Sequence, residues 1–427
     1  MTNKPKRYSL FVDALICNVF NILVLMFLWV IIDSIDLFNP FDDVLEDFDY
    51  TDLYYSKFKS SQLPTDTNIY IVNIGNLNRM ELAMMINTLQ RFEPKIIGID
   101  AVFNEKRGPE DLFLRQALTQ YDNIVLGVFG KYNKECATGI IKHHPFFGEH
   151  PIGHLEFITP NGTTREFEKY IEFNDTVVNH FTLEIMKKYD STAYLSIAER
   201  KGQVELINYR GGQVPFISFN YEEISDSNQY LSLIKDKIVL LGYMGQYANA
   251  PFDTEDSHFT PLKTSNEIYP DAKGIEIHAH VLSMILRGDY ITKMPEWLNY
   301  ILALVIVQLF LMFSIYLYVH KSKYFDFITK PSQFITIAIV LWGTFMAFKN
   351  FHIKFDMVPT ALALILSLEV LYLYEEGLEL LKINTYITQN LKFDKHGKKS
   401  KKKKKPIANS NNGISNTGAN DSPTNRV

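Results

Sequence analysis

Four apolar stretches interrupt an otherwise mixed chain. They run from about Ser9 to Ile32, from Trp297 to Val319 (WLNYILALVIVQLFLMFSIYLYV), from Ser332 to Phe348 and from Met357 to Tyr374. At about 1.5 Å per residue, each approaches or reaches the roughly 20 residues a membrane-crossing helix needs. The transition into the second run is abrupt: KGIEIHAHVLSMILRGDYI, which reads as the end of a soluble domain, gives way to it within a few positions. The residues between the first two runs therefore read as one globular block, and Lys273 to Val319 as its joint with the membrane.

The block has the pattern of alternating strands and helices. NIYIVNIG (68–75), KIIGIDAVF (95–103), NIVLGVFG (123–130) and KIVLLGYMG (237–245) are short continuous apolar runs, as buried strands require. Helical patterns over 79–92 and 109–121 separate the first three, which predicts parallel strands with right-handed crossovers. The middle differs: Asn161-Gly162 sits between alternating runs over 154–173 and predicts a hairpin, followed by a helix from about Val177 to Tyr189. VELINYRGG (204–212) then returns to extended structure. From Asp33 to Asp66 the chain is acidic and aromatic, and reads as a solvated linker with aromatic anchors.

Polar positions inside the apolar runs add topology. Asp13, Cys17, Asn18 and Asn21 recur every three to four residues and share one side of the first helix, so that side should meet other helices rather than lipid. MTNKPKR precedes the run with three positive charges and no small-residue cleavage site follows, which predicts an uncleaved anchor with its N-terminus inside. The expected organisation is a cytoplasmic N-terminus (1–8), a first crossing (9–32), an extracytoplasmic domain (33–296) and a second crossing (297–319). A cytoplasmic loop (320–331), a third crossing (332–348), an outer turn (349–356) and a fourth crossing (357–374) follow, then a cytoplasmic helix and basic tail (375–427). Lys349 and Lys354 on the outer side are expected to snorkel, and Glu369 to make a structural hydrogen bond or to snorkel as well.

Charge supports two compartments. The chain is 47% hydrophobic with a formal net charge of -5, but 34–296 holds 24 basic against 38 acidic residues, hence -14. Residues 377–427 hold 11 basic against 3 acidic, hence +8. Cys17 and Cys136 lie too far apart in organisation to form an intramolecular bridge.

Taken together, IYIVNIG, FEPKIIGIDAVF, GHLEFITPNGTTREF, INYRGG, DKIVLLGYMG, FTPL and GIEIHAHVLSMILRGDYI resemble a type 2 CHASE domain over roughly residues 40–295. The resemblance implies a sensory module of bacterial receptors, with one helix before the sensor and usually three after it. The expected fold is an α/β periplasmic sensory domain with a mixed, largely parallel sheet, plus four transmembrane helices in the bacterial inner membrane, both termini cytoplasmic. Receptors of this kind often continue into a catalytic output domain, for which the tail leaves only about fifty residues. A separate output protein is therefore expected.

Candidate chemistry is sparse. P-loop, nucleophile-elbow and H-E-x-x-H motifs are missing, so no enzyme and no cofactor are expected. Asp100 is expected to end a parallel strand, where open α/β sheets bind ligands, with Gly75, Gly127 and Gly242 at similar ends. Glu276, His278 and His280 would share one face if extended, with Asp253, Asp256 and His258 approaching from the preceding loop. A bare H-x-H is a weak metal signal, and structural hydrogen bonding is the preferred reading. His143, His144, His150 and His154 form a second group in a loop, with no zinc spacing. The candidate ligand-binding residues are thus Asp100, Asp253, Glu276 and His278, with no metal. His278, Arg287 and Trp297 mark the joint that would transmit a signal. Lys398, Lys399, Lys401, Lys402, Lys403, Lys404 and Lys405 would contact anionic lipid rather than nucleic acid. Membrane lipid and a separate output protein are the expected partners, with room for a homodimer. The rival reading is a non-enzymatic assembly component of an envelope complex that uses the domain as a docking platform.

Overall fold

The computed structural model describes residues 9–33, 49–59, 63–133, 136–159, 162–212, 214–224, 228–245, 254–262, 269–320 and 322–390. Asn161, Asp253 and the lysine run 398–405 lie outside them.

The first apolar run forms α1 (Leu10–Asp33). A helical segment over residues 50–58 follows, capped by the Asp49 side chain, which accepts from the Thr51 N–H. The seven-stranded sheet begins with β1 (Asp66–Asn73). Next come α2 (Arg79–Gln90), β2 (Ile96–Ile99), α3 (Asp111–Gln120), β3 (Ile124–Asn133), β4 (Cys136–Ile141) and β5 (Ile152–His154). The start of α2 is fixed by Asn78, whose carboxamide oxygen accepts from the N–H groups of Met80 and Glu81 while Glu81 reaches back to the Asn78 N–H. That reciprocal cap satisfies donors the helix cannot.

Beyond β5 lie the short strands β6 (Glu166–Glu168), β7 (Tyr170–Phe173) and β8 (Thr176–Asn179), then α4 (Phe181–Tyr189), α5 (Ser191–Ala198), β9 (Val204–Leu206), β10 (Phe216–Asn220) and β11 (Ile238–Gly242). The main sheet runs β10-β1-β11-β2-β3-β4, with β5 also on β3. Every pairing in it is parallel except β3 with β4.

Alternation sorts the central strands into two cores. Ile69, Ile71, Ile96, Val125, Ile238 and Leu240 face one layer, with Phe181, Ile185 and Met186 of α4. Tyr70, Val72, Ile97, Ile99, Ile124, Leu126, Val239 and Leu241 face the other, against α2 and α3. This is the period-2 geometry of a sheet covered on both faces. Glycine allows the closest approach: a Cβ on Gly153 would lie 2.4 Å from the Phe181 Cα. Gly127 lies within β3 rather than at its end, and a Cβ there would meet Leu155.

Two local expectations need correction. The hairpin placed around Asn161-Gly162 is reduced to a bridge between Ile158 and Glu166, and β6 pairs antiparallel with β9. The hairpin forms later, between β7 and β8, where Asn174 and Asp175 take positive φ of 45° and 62°. Asn and Asp tolerate that region, and two such residues match the twist of a tight hairpin. The helix expected from Val177 therefore starts only at Phe181, with His180 as its cap.

The strands β12 (Ser257–His258) and β13 (Ala272–Lys273) pair antiparallel ahead of α6 (Gly274–Arg287). β14 (Thr292–Lys293) leads from α6 to α7 (Glu296–His320), and α8 (Phe325–Phe351) follows. β15 (Ile353–Lys354) and α9 (Val358–Leu380) complete the order. Among the described residues four helices, α1, α7, α8 and α9, are long and apolar enough to cross a membrane. The loop expected over 320–331 is mostly helix, because Pro331 does not stop α8. Around it, Thr329, Ser332 and Thr336 donate hydroxyl bonds to the carbonyls of Phe325, Ile328 and Ser332.

The chain divides into two compact units. One comprises the described residues up to Phe27, Leu302–Thr336 and those from Pro359 onward. In it the polar side of α1 meets other helices as its spacing predicts. Asn18 donates to the Leu304 carbonyl, Asn21 to the Ala363 carbonyl, and Asp13 accepts from the Ile387 N–H. Glu369 is exposed. The other unit comprises Leu28–Ile301 and Ile337–Val358. Within it β14 pairs parallel with β15, and Lys354 binds Asp49 rather than snorkelling. Tyr54 and Tyr55 are buried against Phe348, so the aromatic anchors of the linker are real.

Candidate functional site

The site grows from the carboxyl edge of the sheet, where β2 ends and Asp100 begins. Its backbone N–H still bonds the Leu241 carbonyl, which fixes it at the edge of β11. The carboxyl faces His278, the Nε2–Oδ2 separation being 3.9 Å, too long for a hydrogen bond. Burial, with Asp256 adding repulsion, pushes the Asp100 carboxyl up to about 8. A carboxyl with that affinity is mostly protonated at pH 7 and can donate a hydrogen bond.

His278 sits in the second turn of α6, and its ring begins a row of three. It contacts His180 at 5.2 Å between centroids, and His180 contacts His154 at 5.0 Å. Phe157, Phe167 and Phe181 surround the row, Phe157 lying 4.5 Å from His278. All three histidines are buried. His180 pairs its Nδ1 with the Thr182 hydroxyl at 2.8 Å, and His154 its Nδ1 with Glu156 at 3.3 Å. The other nitrogen of each, and Nδ1 of His278, are buried without a hydrogen-bond partner. Such atoms cost about 1–3 kcal/mol each when left unsatisfied, which marks the row as something more than packing. Burial first, and then the neighbouring imidazoles, hold His180 and His278 well below the usual histidine range.

The arrangement is therefore a polar strip in an aromatic wall: two imidazoles held uncharged, with a carboxylic acid at one end. Asp256 and His258 flank it, their separation being 3.5 Å, and Phe157 also reaches the His258 ring at 6.0 Å. Such a strip can exchange hydrogen bonds with an uncharged polar group but offers little to an ion.

The other expected members are elsewhere. The segment 274–287 is helical, so Glu276, His278 and His280 diverge. Glu276 accepts from the Lys273 N–H and caps α6, and His280 Nδ1 accepts from the Arg210 N–H. Glu276 thus makes the structural hydrogen bond preferred for it over a metal, and His280 makes one of its own. Asp253 lies outside the described residues. His143 accepts from the Phe103 N–H and His144 from the Phe146 N–H, while His150 bonds the Phe147 carbonyl. Only His154 of that loop group joins the row. Among the described residues no three His, Cys, Asp or Glu side chains are placed to share a metal ion. His180 escaped the sequence reading, since a single histidine between a strand and a helix has no spacing to betray it.

Comparison with known proteins gives one result. The model of the CHASE2 domain matches residues 60–315, more than half of the 427-residue chain, and takes in the first part of α7. No curated protein and no solved structure matches. The order of the sheet, the helices apolar enough for a membrane and this match converge: the chain belongs to the CHASE2 family, whose domain is an extracytoplasmic sensory module of signalling proteins.

Proposed function

We propose that the chain is a bacterial inner-membrane sensor with both termini in the cytoplasm, one crossing before the sensory domain and three after it. It would detect a small uncharged polar molecule at the His154–His180–His278 row and Asp100, and relay the event to a separate output protein without catalysis of its own. The observation that carries this reading is the position of His278 on α6, because the same helix ends at Arg287 and passes through β14 into α7. A ligand that bonds the unpartnered imidazole nitrogens in one setting of α6 and not in another shifts the balance between the two. Pairing of β14 with β15 would carry the shift to the turn between α8 and α9. The tail lysines would hold the inner end at anionic lipid, and a homodimer would give the output protein a symmetric target.

The test is a metabolite screen by thermal shift on the intact detergent-solubilised chain, with His278→Ala as control. A ligand that stabilises the native protein and not the variant is the expected result. A stable co-purifying protein, with no metabolite shifting the melting temperature, would overturn the sensory reading. A one-residue insertion after Met294 lengthens the non-helical link between β14 and α7 and uncouples their register. Ligand binding should survive it while control of the output protein is lost.

A further inference from the structure

The far end of α6 carries different chemistry. His280, Ser283, Met284 and Arg287 fall on one stripe of the helix, three or four residues apart. Against this stripe lie Arg210, whose N–H bonds His280, and Asn208, whose N–H meets the Met284 sulfur. Lys59 donates to the Asn208 carboxamide at 2.5 Å and stands 4.8 Å from the Tyr55 ring. Two carboxylates share the neighbourhood. Asp66 accepts from the Ser283 hydroxyl at 2.6 Å and lies 3.6 Å from Arg210. Asp289 is 3.8 Å from Arg287 but is bound by His352 at 2.7 Å.

Three cations thus face two carboxylates, one of which is shared with His352. The carbonyl end of α6 offsets part of the surplus, being worth about half a negative charge. Arg210 donates one amino group to the Pro64 carbonyl and holds the other 3.6 Å from Asp66, an ion pair without a hydrogen bond, while its Nε is buried with no acceptor. We propose that Lys59, Arg210 and Arg287 form a binding site for a tetrahedral oxyanion, a phosphate or sulfate group that is free or carried on a lipid headgroup. The anion would accept from the Arg210 Nε and from the two N–H groups that Lys59 does not spend on Asn208, as charge-assisted hydrogen bonds. The electrostatics agree. Burial, then Arg287 and Arg210, bring the Lys59 ammonium down to about 7, and burial with the same three cations brings His280 to about 3. His280 therefore adds no charge, and Lys59 is the adjustable member.

Sulfate is the first probe, because its charge is constant across the range. In neutral detergent, the intact chain is titrated with sodium sulfate against sodium chloride of equal ionic strength and melted. Sulfate should raise the melting temperature, and binding should be about tenfold tighter at pH 6 than at pH 8, as a lysine titrating near 7 goes from mostly charged to mostly neutral. Lys59→Gln, a part-exposed position that leaves the core intact, should weaken sulfate at least tenfold at pH 6. Lys59→Arg should restore it and remove the pH dependence. The same measurements in nanodiscs of phosphatidylglycerol and of phosphatidylcholine separate the sources. Stabilisation by sulfate and inorganic phosphate alone identifies a free anion, and stabilisation by phosphatidylglycerol alone identifies a headgroup. The proposal is overturned if neither salt nor anionic lipid stabilises the native protein, or if Lys59→Gln leaves the effect unchanged.

Discussion

At the start of α6, His278 and Asp100 lie 3.9 Å apart with their usual charges suppressed; at its end, Arg287 and Arg210 stand among Asp66 and Asp289. Both ends are largely buried, so burial alone does not decide the outcome. What differs is the partners each carboxyl meets: at the far end the His352 bond, with Arg287 nearby, holds Asp289 below the usual carboxylate range. Asp66 receives the Ser283 hydroxyl and the Asn68 N–H besides its arginine. Asp100 has a histidine beyond hydrogen-bond reach, and desolvation wins.

Three experiments press on that contrast. The largest effect should come from Arg210→Met, which leaves Asp66 buried beside an apolar chain. Breaking a buried pair from one side costs about 4 kcal/mol, read as a lower urea midpoint with unchanged slope. An unchanged midpoint would mean that Ser283 and Asn68 suffice for Asp66. Second comes acid. His180 and His278 have folded values well below 6.5, so in the unfolded chain they take up protons that the folded chain refuses. Stability from these rings is complete above about pH 6.5 and falls below it, by about 1.4 kcal/mol per pH unit for each. Moving from pH 6.5 to 5.5 should cost about 2 kcal/mol, because the unfolded rings are only half protonated at the start, and His180→Phe should remove about half of that loss. Third, Asp100 behaves oppositely: its folded value of about 8 exceeds the ordinary 3.8, so its penalty grows as pH rises between them. Asp100→Asn should therefore stabilise the protein increasingly as pH rises from 4 towards 8, by up to about 1.4 kcal/mol per pH unit, and leave it nearly unchanged near pH 4. A gain independent of pH would show that the carboxyl is not held protonated.

Much of the frame was legible because its periods are clean. The alternation of Ile69, Tyr70, Ile71 and Val72 sends neighbours into opposite cores, and the Asp13–Asn21 spacing marks the packed side of α1. At α6 the shared face of Glu276, His278 and His280 was conditional on an extended segment, and the condition is not met. Ile275, Ile277, Ala279 and Val281 alternate like a strand, yet the segment is a helix buried on nearly every side from Gly274 to Ile285. His154, His180 and His278 come from three separate elements, and only tertiary packing joins them. Lys354 was hidden likewise, its partner Asp49 lying 305 residues away.

That last pair, together with β14 on β15, bears on how portable the sensor is. The stretch opening the domain at Asp49, the stretch leaving it at Thr292 and the turn at Ile353–Lys354 are stitched to one another. A receptor chimera cut at Glu296 would carry off one half of each stitch and leave Asp49 with no lysine and β14 with no neighbour. The transplantable module is therefore discontinuous in sequence. It consists of the domain plus the segment around Phe345 to Lys354, and a graft that moves both should fold where the shorter one loses its footing.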